Sequence, residues 1–253
     1  MIWMNKHAET VIVVGATSDI ARATAMELAS QWNLILAGRN TEELEAIAHD
    51  IQVRFECEVT TFCFEAMDPD GHAAFIDDCF RVNDDVAGAV ICHGFLPEQI
   101  QAQRDWDLAR RTLDVNFTSC VSVIEPLMKR LEERAQGFIA VISSVAGDRG
   151  RQSNYLYGAA KGGLSIYLQG LRNRGRHSGV HVMTVKPGFV ATAMTVGLVN
   201  PNSPLVATPQ QVARDIVRGI RKRKNVIYSR WFWRYMMLII RSIPEPIFKR
   251  LRL

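Results

Sequence analysis

The chain reads as a single-domain α/β protein, a doubly wound Rossmann-type parallel sheet of about seven strands with helices on both faces and an amphipathic C-terminal extension. Three observations predict this class. Short, continuously apolar runs rich in Val and Ile alternate with helical stretches, the pattern of strands buried on both faces. The first such run passes through a turn of small residues directly into a helix. No internal repeat, low-complexity tract or Pro/Gly-rich linker divides the 253 residues, enough to bury one large core.

Taken in order, strands are expected at 11–14 (VIVV), 34–37 (LILA), 59–64 (VTTFCF), 87–92 (AGAVIC), 138–142 (FIAVI), 180–185 (VHVMTV) and 225–228 (NVIY). Helical segments are expected between them at 19–31, 41–53, 71–81, 105–134, 155–176 and 209–222. Two helix starts carry explicit signals. Asn40 precedes Thr41-Glu42-Glu43, and Thr208 precedes Pro209 with Gln211 where a capping box closes.

Composition is that of an ordinary soluble globular protein, 48% hydrophobic and 22% charged. Five scattered cysteines (Cys57, Cys63, Cys79, Cys92, Cys120) show no C-x-x-C spacing, so neither a metal site nor a disulfide framework is indicated. They read as core fillers. Residues 1–10 have no apolar signal-peptide core, and a reducing cytoplasm is the expected compartment. Net charge is +4, unevenly spread: from Arg218 onward 11 Lys and Arg face one acid, Glu245, leaving 19 bases and 25 acids before it. A basic end on an acidic body points to a surface, a partner or an anionic ligand near that end, and nothing points to nucleic acid.

The chemistry-bearing pattern is Tyr157-Gly158-Ala159-Ala160-Lys161, with Ser143 and Ser144 upstream. Four apart on a helix, Tyr157 and Lys161 share a face. A tyrosine hydroxyl with a pKa of about 10 trades protons poorly near neutrality, and an adjacent ammonium favours its ionised form. A hydroxyl such as that of Ser144 can hold a substrate carbonyl where the tyrosine protonates it. At the other end of the chain, 11–14 run into Gly15-Ala16-Thr17-Ser18-Asp19-Ile20-Ala21 and a helix. A strand, a tight turn and a helix N-terminus make a pyrophosphate site, although a plain βα turn looks much the same. The second strand ends Ala37-Gly38-Arg39-Asn40, with no acid before Glu42. An arginine there accommodates a ribose 2′-phosphate, so NADP(H) is favoured over NAD(H); the alternative is a solvated loop cation.

With these motifs in this order, nearly the whole chain resembles the short-chain dehydrogenase/reductase family. The resemblance implies catalytic roles for Asn116, Ser144, Tyr157 and Lys161: Tyr157 as proton donor, Lys161 tuning it and holding the nicotinamide ribose, Ser144 orienting the carbonyl, Asn116 keeping a relay water. It implies cofactor contacts from Gly15, Thr17, Ser18, Asp19, Ile20, Arg39, Gly94, Tyr157, Lys161, Pro187, Gly188, Val190 and Thr192, and from Glu65 at the adenine. The chain departs from the family where Asp19 and Ala21 replace glycines and where Ile91-Cys92-His93-Gly94 keeps only Gly94 of the usual Asn-Asn-Ala-Gly. His93 either faces cofactor or substrate or is a loop residue replacing alanine. Tyr155 is expected to line the pocket, and Ser143 to stand behind Ser144.

Residues 229–253 are read as a basic amphipathic extension packed on or near the catalytic domain, 1–228. The run Trp231–Ile240 is too short and too charged to span a bilayer. Its aromatics, apolar run and flanking arginines suit an interfacial helix, and equally an oligomer interface or a pocket lid. Arg234-Tyr235-Met236-Met237-Leu238, then Arg241-Ser242-Ile243-Pro244 and Ile247-Phe248-Lys249, with residues 143–149 and Tyr157-Gly158, resemble the keto-reductase components of decaprenylphosphoryl-ribose 2-epimerases. That likeness implies NADPH-dependent reduction of a 2-keto sugar on a polyprenyl phosphate, a flavoprotein oxidase partner and a peripheral place on the inner face of the membrane. Reduction of a soluble ketone or 3-oxoacyl thioester, with the tail serving oligomerisation, is the alternative. A non-catalytic NADP-binding sensor or scaffold is a third reading. Family likeness makes a homo-oligomer the default.

Overall fold

The computed structural model describes residues 8–197 and 199–251. Most of the N-terminal stretch examined for a signal peptide, and the last two residues of the extension, lie outside that set. In chain order the regular elements are β1 (Thr10–Val14), α1 (Asp19–Leu28), β2 (Asn33–Gly38), α2 (Thr41–Phe55), β3 (Val59–Cys63), α3 (His72–Val82) and β4 (Val86–Ile91). There follow α4 (Gln99–Ala102), α5 (Trp106–Leu113), α6 (Ser119–Glu133), β5 (Gly137–Ile142), α7 (Tyr155–Ser178), β6 (Val180–Pro187) and β7 (Phe189–Val190). The chain closes with β8 (Val206–Ala207), α8 (Pro209–Arg221), β9 (Val226–Ser229), α9 (Phe232–Ser242) and α10 (Glu245–Phe248).

Seven strands form one parallel sheet in the order β3-β2-β1-β4-β5-β6-β9. Strand alternation sends Val11 and Val13 to one face and Ile12 and Val14 to the other. The first face is covered by α1, α2 and α8 through residues such as Leu28, Ile47 and Ile216; the second by α3, α6 and α7 through Phe75, Leu127 and Leu164. All expected strands are present. The strand order reverses between β1 and β4, so the carboxyl ends of those strands flank a crevice open to a ligand. Both helix-start signals act as read: Asn40 Oδ1 accepts from Glu43 N–H at 3.2 Å, and Thr208 and Gln211 cap each other reciprocally.

The expectation of one unbroken helix over 105–134 fails. A π-helical turn, Asp114–Thr118, separates α5 from α6. A wider turn costs local hydrogen-bond geometry and persists where outside contacts reward it. Here Asn116, fully buried, donates from Nδ2 to Phe95 O (2.6 Å) and Thr112 O (2.8 Å) and accepts at Oδ1 from Phe95 N–H (3.1 Å). The helix read over 19–31 also ends early, at Leu28, and the short β7–β8 ladder, α4 and α10 were not foreseen.

The C-terminal helix α9 packs on the turn after β5. Trp233 and Met237 are buried there with Val145. Arg149 holds the end of α9 by donating from Nη1 to Ile240 O (2.8 Å), Arg241 O (3.1 Å) and Ile243 O (2.6 Å), orphan carbonyls that a helix end leaves open. Its guanidinium also pairs with Glu245 at 3.0 Å and stacks 3.7 Å over the Phe248 ring.

Candidate active site

The crevice at the carboxyl ends of the strands holds a cavity of about 480 Å³. Thr17, Ser18, Asp19 and Ile20 line it from the first turn, Gly94 from the end of β4, Ser144 from the end of β5, Tyr157 and Lys161 from α7, and Pro187, Gly188, Val190 and Thr192 from beyond β6. Twelve of the residues expected from sequence therefore meet in one place. Gly15, Arg39, Glu65 and Asn116 do not line it.

Tight backbone contacts set the distance between Ser144 and α7. Ser144 caps a 3₁₀ turn, Val145–Asp148, by accepting from Ala146 N–H at 3.1 Å. That turn sits so close to α7 that a Cβ on Gly147 would lie 2.6 Å from Gly162 N, and one on Gly158 2.9 Å from Ala146 O. Behind it, Ser143 is buried, donating to Lys161 O at 3.0 Å and sharing a 2.8 Å contact with Ser165 Oγ. Lys161 is itself buried; its ammonium donates to Ile142 O at 3.0 Å and stands 5.8 Å from the Tyr157 ring centroid. One turn of helix thus places a positive charge beside the phenol.

Gly15 adopts φ +79°, a conformation that favours glycine, and a Cβ there would strike His93 N at 2.7 Å. Ser18 caps α1, whose first free N–H groups suit an anion. Asp19, at the family's second glycine position, closes across the crevice: its Oδ2 accepts from Ala193 N–H at 2.8 Å, joining the first turn to the segment after β7. Ala21 is fully buried in the core, a position whose space suffices for a methyl.

His93 lines the cavity, and its ring nitrogens are enclosed. Ser119 Oγ donates to Val115 O at 2.8 Å, so its contact with His93 Nε2 at 2.7 Å is accepted from an Nε2–H tautomer. That leaves Nδ1 an acceptor, without a partner among the described residues. Burial, then the Lys161 and His72 charges, push its pKa down to about 3, so the ring is neutral. Burial pushes the neighbouring Cys92 thiol up to about 12 and raises Cys120 as well, which keeps both thiols protonated.

Arg39 is exposed at the end of β2. Glu65 is exposed too, and its Oε1 accepts from Met67 N–H at 2.9 Å within its own loop, which His72 pins by a 3.0 Å contact with Glu65 O. Tyr155 does not line the cavity as expected. Two residues are about 200° of helix, so it faces away from Tyr157 and donates to Gln103 Oε1 at 3.3 Å. Other lining residues were not singled out from sequence, among them Leu96, Arg151, Asn154, Phe189 and Met194, while Trp233 comes from the run for which a pocket lid was one of the readings. The indole of Trp233 packs directly on Gly188, where a Cβ would lie 2.0 Å from its Nε1.

Among the described residues no cluster of His, Cys, Asp and Glu could hold a metal ion, and no helix is long and apolar enough to cross a membrane. A dinucleotide is the group these residues fit: a positive-φ turn before a capped helix at one end and a buried ammonium at the other.

The family profile described as short chain dehydrogenase matches residues 9–202. An uncharacterized oxidoreductase of Mycobacterium tuberculosis (strain ATCC 25618 / H37Rv) is 30% identical over 244 residues, covering 96% of this chain and 97% of that protein. One of Streptomyces coelicolor is 32% identical over 244 residues, with 96% and 95% covered. Among solved structures, a short-chain dehydrogenase from Sphingobium yanoikuyae in complex with NADPH superposes with a TM-score of 0.77 at 20% identity over 94% of this chain and 97% of that one. The F189W actinorhodin polyketide ketoreductase with NADPH gives 0.76 at 21% identity, covering 84% and 90%; both likenesses are of fold. By profile and by full-length relatives alike, the chain belongs to the short-chain dehydrogenase/reductase family of NAD(P)-dependent oxidoreductases.

Proposed function

We propose that the protein reduces a ketone to an alcohol with NADPH, and that its substrate is a 2-keto sugar carried on a polyprenyl phosphate. The observation that carries the reductase reading is the meeting of Ser144, Tyr157 and Lys161 with the first-turn residues around one cavity. When bound, the dinucleotide supplies a hydride to the carbonyl carbon. Ser144 donates a hydrogen bond to the carbonyl oxygen, and Tyr157 gives that oxygen its proton. Lys161, buried beside the ring, offsets the negative charge that develops on the phenol oxygen as its proton leaves, an effect strengthened away from water. Asn116 acts from behind by holding the Phe95 backbone next to Gly94.

Thr17, Ser18 and Ile20 would hold the pyrophosphate with Gly15 shaping the turn; Pro187, Gly188, Val190 and Thr192 would hold the nicotinamide; Glu65 would meet the adenine. Arg39, exposed where a 2′-phosphate would lie, favours NADP(H), and the NADPH held by two structural neighbours agrees with this. The lipid-linked substrate rests on the tail. Trp231, just before α9, and Tyr235, Leu238, Ile239 and Ile247 on α9 and α10 are exposed beside Arg230, Arg234 and Arg241, an apolar and cationic surface suited to a prenyl phosphate in an anionic bilayer. On this reading a flavoprotein oxidase supplies the ketone, and the protein works as a homo-oligomer at the inner face of the membrane.

Tyr157→Phe tests the reductase: NADPH binding, followed by fluorescence, is expected to stay within about twofold while turnover falls at least ~100-fold. Turnover close to wild type removes Tyr157 as the acid. For the tail, wild type is expected to sediment with vesicles containing anionic lipid, and a variant with Trp231, Leu238 and Ile239 replaced by Ser is expected to stay in solution. Equal sedimentation of the two contradicts the membrane surface.

A further inference from the structure

The turn that presents Ser144 is fastened on two sides, and one of the fastenings is charged. Toward α7 it is backbone against backbone, Gly147 on Gly162 and Ala146 on Gly158. On the other side three polar side chains meet among apolar neighbours. Asp148, the last residue of the turn, receives Lys186 Nζ on Oδ1 and Tyr228 OH on Oδ2, the latter at 2.8 Å. None of the three lines the cavity.

Sheet register makes the meeting possible. Lys186 and Tyr228 are ladder partners on β6 and β9, so their side chains leave the sheet on one face, with the ammonium 5.8 Å from the ring centroid. The β5–β6 ladder ends at Ile142 opposite Val185, followed by one hydrogen bond from Ser143 N–H to Val185 O at 2.8 Å. Past that point the sheet no longer holds the chain, and the turn capped by Ser144 depends on what its far end grips. Both partners adjoin the site or its wall. Lys186 directly precedes Pro187 and Gly188, and Tyr228 leads through 229–231 into α9.

The charge asks for a reason. The Asp148 side chain is 2% exposed and that of Lys186 10%. Taking an ion pair out of water costs about as much as the pair returns, and apolar residues of similar volume often stabilise as well or better. Val145, Trp233 and Met237, packed with Tyr228, show that apolar packing is available at this place. Apolar contacts, however, carry no direction. A carboxylate whose two oxygens are each filled by a fixed donor admits one orientation of the turn. Burial, then the hydrogen bond to Asp148, raise the Tyr228 pKa, so its phenol keeps its proton and remains a donor. At the near end of the turn Ser144 Oγ accepts from Ala146 N–H, which leaves the hydroxyl proton for an outside acceptor. We propose that Asp148, gripped by Lys186 and Tyr228, is a positioning residue that sets the Ser144 hydroxyl against the substrate carbonyl. The proposal rests on the reductase reading for what Ser144 does, and it gives a role to residues outside the cavity.

A group that acts through Ser144 loses its effect once Ser144 is gone, whereas a general weakening of the fold costs the same in either background. Asp148→Asn and Tyr228→Phe are made in the wild-type protein and in Ser144→Ala, and reduction of 9,10-phenanthrenequinone, an activated diketone, by NADPH is followed. In the wild-type background kcat is expected to fall ~10- to 100-fold for Asp148→Asn and ~3- to 10-fold for Tyr228→Phe, with NADPH affinity within about twofold, because a displacement of about 1 Å at a reacting group costs as much as 100-fold. In the Ser144→Ala background each is expected to cost less than about twofold. Equal losses in the two backgrounds overturn the proposal, and so does an unchanged kcat in folded Asp148→Asn. Should Asp148→Asn fail to fold, Tyr228→Phe, which gives up one hydrogen bond, carries the same comparison. Amide exchange supplies a readout without turnover. Ala146 N–H bonds to Ser144 Oγ and Gly147 N–H to Ser144 O, each at 3.1 Å. In Tyr228→Phe both are expected to exchange at least ~10-fold faster while the amides of α7 keep their rates. Unchanged exchange at the turn overturns the proposal. Faster exchange there in a protein that reduces no diketone upholds the fastening and counts against the reductase reading alone.

Discussion

His93 makes the stability of this protein sensitive to acid in a way that can be calculated. Its folded pKa, about 3, lies well below the ordinary histidine value of 6.5, through burial first and then the Lys161 and His72 charges. Between those two values the unfolded chain takes up a proton that the folded chain refuses. Stability from this residue is therefore complete above about pH 6.5 and is lost as pH falls toward 3, at about 1.4 kcal/mol per pH unit. From pH 7 to pH 5 only the last 1.5 units or so count, which gives a loss of about 2 kcal/mol. His93→Gln removes the titration, while its side-chain amide can still reach Ser119. Urea unfolding of both proteins at pH 7 and pH 5, with m-values compared, isolates the effect, because other histidines such as His181 titrate in both. Wild type is expected to lose about 2 kcal/mol more than the variant over that interval. Equal losses would show that the ring accepts a proton in the folded state and that the enclosed, neutral imidazole is wrong.

Two further changes probe the cleft. In Gly188→Ala the new methyl lies 2.0 Å from the buried indole of Trp233, which Phe189 and Met237 prevent from retreating. Overpacking of this kind is expected to cost about 1–3 kcal/mol, visible as a lower urea midpoint and a shift in Trp fluorescence. Arg39→Asp places an acid where the ribose hydroxyls would lie, and the ratio of NADPH to NADH in kcat/KM is expected to fall by at least ~10-fold. An unchanged ratio would leave Arg39 a solvated cation.

How much of the site was legible depended on how local its causes are. Gly15, Ser18 and the capping residues Asn40, Thr208 and Gln211 act through backbone within a few positions, so their roles follow from spacing. Tyr157 and Lys161 sit one turn apart on a helix whose period the sequence carries. The seven strands of the sheet announced themselves because each is buried on both faces and therefore apolar throughout. The π turn at Asn116 gave no such signal, since it is held by the backbone of Phe95, which only the fold brings near. Asp19 looked like a damaged glycine turn, yet it clamps Ala193 on the far side of the crevice. Tyr155 was misplaced by ignoring its azimuth on α7.

Local pattern alone, then, determined a parallel doubly wound sheet, a nucleotide-type turn and a serine–tyrosine–lysine set in the right order, because strand burial and helical spacing are short-range facts written into neighbouring residues. Only the tertiary structure decided which side chains share the cavity with that set. Trp233 reaches Gly188 and Arg149 fastens α9 through contacts between segments remote in the chain. Such contacts have no period to read, and what they enclose becomes visible once the backbone has closed around it.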